Sequence, residues 1–176
     1  MARAVRGDDH AFATVIRHYD ELLRAFAFQL LRDTRLMDEV LREAYVKAYR
    51  LLPAYRADTR PSAWLFRIVY NACVDALAAI ETIPAEPNGP AAAAGEPASP
   101  TARPADGTQL ALWLDDALIQ LPFDRRAAVL LVDLAGFDGP TTAEVLGITV
   151  DELGAWLAAA RPELRAVVDA GGGAQP

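Results

Sequence analysis

Side chains suited to catalysis or metal binding are few in this sequence, and their spacing builds no reaction centre. His10 and His18 stand eight residues apart, about two helical turns, with no third ligand or nucleophile at a recognisable distance. Cys73 is the single cysteine, which excludes an internal disulfide and a multi-cysteine zinc site. It falls on the apolar stripe of a helical pattern and reads as a core thiol rather than a reactive one. The acidic clusters lack the spacing of a calcium loop. No catalytic residue, metal or cofactor is expected. Other polar and basic side chains share a face or a loop without composing such a centre. Asn71 and Asp75 lie one helical turn apart on one face, and Tyr55, Arg56 and Arg60 sit in the loop before that helix.

The elements that must hold these residues are helices throughout. Asp8 and Asp9 can cap a first helix, in which Phe12, Val15, Ile16, Tyr19, Leu22, Leu23, Phe26, Leu30 and Leu31 recur at three- and four-residue steps. A second runs from about Thr34 to Leu52, with Leu36, Val40, Leu41, Ala44, Ala48 and Leu51 on its stripe. A third opens at Pro61 and carries Trp64, Leu65, Ile68, Val69, Ala72, Cys73 and Leu77. Residues 81–107 are rich in Pro, Ala and Gly with almost no large apolar side chain, the composition of a flexible linker.

Four shorter helices are expected beyond it. One runs from Thr108 to near Leu121, and one follows Pro122 until Gly136 stops it. A third, TTAEVL, is closed by Gly147. The last opens on a capping box formed by Thr149 and Glu152. Pro162 should end or kink that last helix. No strand pattern competes. The expected fold is all-α, with two small helical domains at 1–80 and 108–170, a linker at 81–107 and a disordered tail at 171–176.

Charge divides the chain unevenly. Residues 1–80 hold 12 basic and 10 acidic side chains, whereas residues 108–176 hold 4 and 10. The net charge of −7 is the wrong sign for an obvious nucleic-acid binder, and its acidity is concentrated at the C-terminal end. No run approaches the roughly 18 uninterrupted apolar residues of a membrane helix, and the N-terminus lacks the apolar core of a signal peptide. A cytoplasmic protein without membrane insertion is the expectation.

Several strings, in order, resemble the extracytoplasmic-function (ECF) sigma factors of the sigma-70 family. GDDHAFATVIRHYDELLRAFAFQLL is similar to that family's opening helix, and MDEVLREAYVKAYRLLPAYR to its next stretch. AWLFRIVYNACVDAL is the most specific match, a Trp-Leu followed by an Asn and, four residues later, an Asp. ALIQLPFDRRAAVLLVDLAGF and AEVLGITVDELGAWLAAAR parallel the helix-turn-helix domain, called region 4. The resemblance implies a factor without catalysis that binds core RNA polymerase and directs it to promoter DNA. It implies a polymerase-docking face at Asp38, Glu39, Arg42 and Glu43. On the −10 side it implies Tyr55, Arg56, Arg60, Arg67, Asn71 and Asp75. There an Asn can both donate to and accept from a base edge, an Asp can accept from an exocyclic amine, and the loop can grip an unpaired base. Thr149, Trp156 and Arg161 fall on the −35 side.

The departures from the family pattern also lie where DNA should be touched. The third helix continues Ala76, Leu77, Ala78, Ala79 where the family carries phosphate-neutralising arginines. The last helix opens with Asp151 and Glu152 and has Gly154, Trp156 and Ala159 where basic side chains are usual. Weak −35 recognition follows. Trp64 reads as a core anchor, and Trp156 as either a core residue or a protein-binding one. Two functions stay open at this point: a promoter-directing sigma factor, or a sigma-like regulator that binds core polymerase, an anti-sigma factor or another protein without reading promoters.

Overall fold

The computed structural model describes residues 1–82, 115 and 117–172. All the regular structure among the described residues is helical. A short α1 (Ala2–Val5) precedes α2 (Asp9–Leu31) and α3 (Thr34–Leu51), then a 3₁₀ turn (Leu52–Ala54) leads through a loop to α4 (Pro61–Thr82). Further along the chain, 117–120 are helical, followed by α5 (Phe123–Val129), a wider π turn (Leu130–Leu134), α6 (Gly139–Leu146) and α7 (Val150–Gly172). α4 runs two residues into the stretch read as linker, and α7 two residues into the stretch read as tail. The rest of both stretches, and the first part of the helix expected from Thr108, lie outside the described residues.

The helices begin where short polar side chains can satisfy their free N–H groups. Asp8 accepts from the Ala11 N–H, Asp33 from that of Leu36 and Asp138 from that of Thr141, each at 2.9 Å. Gly147, at φ 73°, closes α6 in the left-handed conformation that a side chain resists.

One element was not foreseen, and three expectations are corrected. α1 has no apolar periodicity long enough to announce it, and it folds because Ala4 is buried in the core. Leu51 is 40% exposed, because the chain tightens into the 3₁₀ turn and buries Leu52 instead. Leu130–Leu134 is not regular α-helix. The N–H groups of Ala135 and Phe137 reach back to the carbonyls of Leu130 and Leu131, which widens the coil and carries Phe137 into the core. Finally, α7 runs through Pro162 without ending there. Proline removes one backbone donor. Beyond it, Leu164 packs with Leu121, Val129 and Ala160, and Glu163 pairs with Arg125 at 2.9 Å, so the far segment stays attached.

One apolar core crosses both helical blocks. Phe66 of α4 meets Phe26 of α2 on one side and Phe137 on the other, with ring centroids 5.2 Å apart in each pair. Tyr70, a turn further along α4, stacks on Phe123 of α5. Fully burying a phenylalanine is worth about 2–3 kcal/mol, so Phe66 ties three elements together at once. By length and composition alone, Pro61–Ile80 would suffice to cross a membrane. Here Ala63, Leu65, Phe66, Ile68, Val69, Tyr70 and Cys73 from this stretch are buried in the shared core.

Candidate functional site

α3 buries Met37, Val40, Leu41, Ala44 and Ala48, which turns Asp38, Glu39, Arg42 and Glu43 outward together. Asp38 is bound to Arg24 at 2.6 Å, and Arg24 also reaches Asp20 at 3.0 Å, so this carboxylate is fixed from α2. Sequence reasoning missed the continuation of the surface. Arg42, Glu43, Val46, Lys47, Arg50 and Leu51 line one shallow, largely apolar groove, with Val46 46% exposed. The signal was legible in part, because 43, 46, 47 and 50 follow one another at helical steps. An exposed apolar strip edged by both charges has the composition of a protein-contacting surface.

α4 turns its other side outward. Arg67, Asn71 and Asp75 are exposed at successive four-residue steps, with Val74 beside them, and Asp75 lies 3.9 Å from Lys47. The loop before α4 is less free. Tyr55 donates its hydroxyl to the Thr59 carbonyl and sets its ring edge-on to Trp64, half-buried. Arg56 pairs with Asp58 at 2.8 Å, and Arg60 with Asp138 of the second domain at 3.6 Å. Trp64 packs against the core, as an anchor would. Thus Arg67, Asn71 and Asp75 form one open face, while Tyr55 is half-buried against Trp64 and Arg60, though exposed, faces Asp138. Cys73 lies on the buried side of this helix, where burial pushes its thiol up to about 12 and keeps it protonated and unreactive.

The first turn of α7 is occupied with itself. The Thr149 N–H and hydroxyl both donate to the Glu152 carboxylate at 2.8 Å, and the Glu152 N–H returns to the hydroxyl at 3.2 Å. These bonds hold the Glu152 carboxyl below its ordinary value, as a charged acceptor. Trp156 is half-buried against the core, and of the three −35 candidates Arg161 alone is an exposed cation. His10 and His18 are exposed on α2, with His18 edge-on to Tyr19.

Comparison with known proteins matches Sigma-70 region 2 over residues 15–81 and Sigma-70, region 4 over residues 111–164. The ECF RNA polymerase sigma factor SigM of Mycobacterium tuberculosis is 32% identical over 164 residues, covering 93% of this chain and 80% of SigM. Among solved structures, CnrH in complex with the cytosolic domain of CnrY has the same fold, with a TM-score of 0.71, 24% identity and coverage of 96% of this chain and 94% of that one. RpoE of Bartonella quintana, solved with the anti-sigma factor NepR, gives a TM-score of 0.69 at 20% identity over 90% of this chain and 97% of its own. These likenesses favour a promoter-directing factor over a sigma-like regulator that has lost promoter reading. The chain belongs to the ECF family of RNA polymerase sigma factors, proteins without catalysis that bind core RNA polymerase and direct transcription initiation at promoters.

Proposed function

We propose that this sigma factor divides its work unequally between its two domains, residues 1–80 and 108–170. The outer face of α3, with Asp38, Glu39, Arg42 and Glu43 extended by Val46 and Leu51, docks on core polymerase. Arg67, Asn71 and Asp75 read the −10 element, aided by Arg56 and Arg60. Region 4 contributes little to −35 recognition, since Thr149 and Trp156 are engaged within the domain and, of the three −35 candidates, Arg161 alone offers a phosphate contact. The observation that carries this reading is the outward line of Arg67, Asn71 and Asp75 on a helix whose opposite side is buried in the core. The protein works in the cytoplasm, where RNA polymerase is. An anti-sigma protein is a suitable regulator, since the CnrH and RpoE structures are complexes in which RpoE carries such a partner. An apolar groove between the domains, lined by Ala25, Leu118, Val129, Leu130, Leu134 and Leu164, would accept a helix of such a partner.

Reconstitution with bacterial core RNA polymerase tests the assignment. The wild type should form a stable complex and start run-off transcripts at defined genomic sites. Asn71→Ala with Arg67→Ala should keep the complex and lose those starts. Undiminished starts from that variant, or loss of the complex through α4 rather than α3, would overturn it.

A further inference from the structure

Polar side chains of α2 meet α3 at three levels, in antiparallel order. The Tyr49 hydroxyl donates to Asp9 at 2.8 Å, the Tyr45 hydroxyl donates to Asp20 at 2.7 Å, and Arg24 donates to Asp38 at 2.6 Å. The second and third levels form one relay. Tyr45 is half-buried against the core and holds Asp20 by its Oδ1. Arg24 then donates its Nε to Oδ2 of Asp20 and its Nη1 to Oδ1 of Asp38. One guanidinium thus bridges carboxylates from two helices, using different sides of its planar fork. Tyr45 sets Asp20, Asp20 sets Arg24, and Arg24 sets Asp38.

We infer that Arg24 is a positioning residue for polymerase docking: it holds the Asp38 carboxylate in the direction in which α3 offers it, and makes no contact with the polymerase itself. This rests on the assignment of Asp38 to the docking face. Arg24 and Asp38 are 46% and 51% exposed, so their pairing adds little to the stability of the fold. Its consequence falls on binding instead. Arg24 takes Oδ1 of Asp38, so Oδ2 can accept from a donor on the polymerase. A carboxylate already held in place loses less freedom when a partner closes on it. Without the guanidinium, Asp20 and Asp38 are two like charges with nothing between them, and Asp38 turns away.

The test is a double-mutant cycle on the full chain, labelled at its C-terminus and titrated with bacterial core RNA polymerase. Arg24→Ala should weaken the complex roughly three- to tenfold, the scale of ordering one side chain on binding. Asp38→Ala should weaken it at least as much, and the double variant no more than Asp38→Ala alone, because Arg24 acts through Asp38. Arg17→Ala removes the same charge from the same helix, at a side chain bonded to Thr14 of α2, and should track the wild type. Losses from Arg24→Ala and Asp38→Ala that add would overturn the inference, whether Arg24 touches the polymerase directly or supports the fold alone. Equal losses from Arg17→Ala and Arg24→Ala would overturn it too, as an effect of net charge. A loss from Asp38→Ala with none from Arg24→Ala would overturn the positioning role and leave the docking face standing. Wild-type binding by Asp38→Ala would overturn the place of Asp38 on that face and the inference with it.

Discussion

α4 and α7 are the two helices that a sigma factor would set against DNA, and they use their surfaces in opposite ways. α4 buries one side in the core that unites the molecule and leaves Arg67, Asn71 and Asp75 in a row on the other. α7 commits its first turn to its own capping box, tucks Trp156 against the core and exposes Asp151 and Glu152. The proposed division of work follows from this difference: similar lengths of 22 and 23 residues matter less than whether the outward positions are left free and carry the right charge. The second domain's more specific contacts run inward, through Phe137, Asp115, Arg126 and Asp138.

The comparison can be broken most forcefully at the centre. Phe66→Ala removes a ring that touches both Phe26 and Phe137, and should cost about 3–5 kcal/mol. Thermal unfolding should show both domains weakened together, whereas independent domains would leave region 4 unchanged. Next in size, Val46→Asp puts a charge into the α3 groove and should weaken core polymerase binding roughly thirtyfold, as loss of an interface hot spot does. Replacing Arg56, Arg60 and Arg67 by Ala together should lower the salt dependence of single-strand binding by about two units of log slope. Arg161→Ala should scarcely change it. Thr149→Ala should cost about 1 kcal/mol in thermal stability through the lost cap.

The smallest effect is with pH. Hydrogen bonding to Arg32 holds the Asp115 carboxyl below its ordinary value of 3.8 where the two domains meet. Its contribution to that contact is therefore complete above that value and is lost as pH falls below it. Fluorophores on the two domains should report an acid opening step that Asp115→Asn lacks.

Much of this was legible in the sequence because helical periodicity and capping are local. Asp8, Pro61, Gly136, Gly147 and the Thr149–Glu152 box each marked a boundary that the structure places there or within a residue or two. The π turn at Leu130–Leu134 escaped, since its pattern is apolar like that of a regular helix and only the docking of Phe137 selects the wider coil. Pro162 misled for a related reason: the contacts of Leu164 and Glu163 that carry α7 past it come from distant segments. The roles of Tyr55 and Arg60 were hidden in the same way, because Trp64 and Asp138 engage them only after folding. Exposure of Arg67, Asn71 and Asp75, by contrast, follows from the apolar spacing of α4 alone.

The most direct test of the unequal division is a promoter swap in reconstituted transcription. At a start site mapped with this factor and core polymerase, the −10 and −35 elements are replaced in turn by unrelated sequence. The account predicts that replacing the −10 element abolishes initiation while replacing the −35 element leaves most of it. Initiation that survives loss of the −10 element but fails without the −35 element would contradict it.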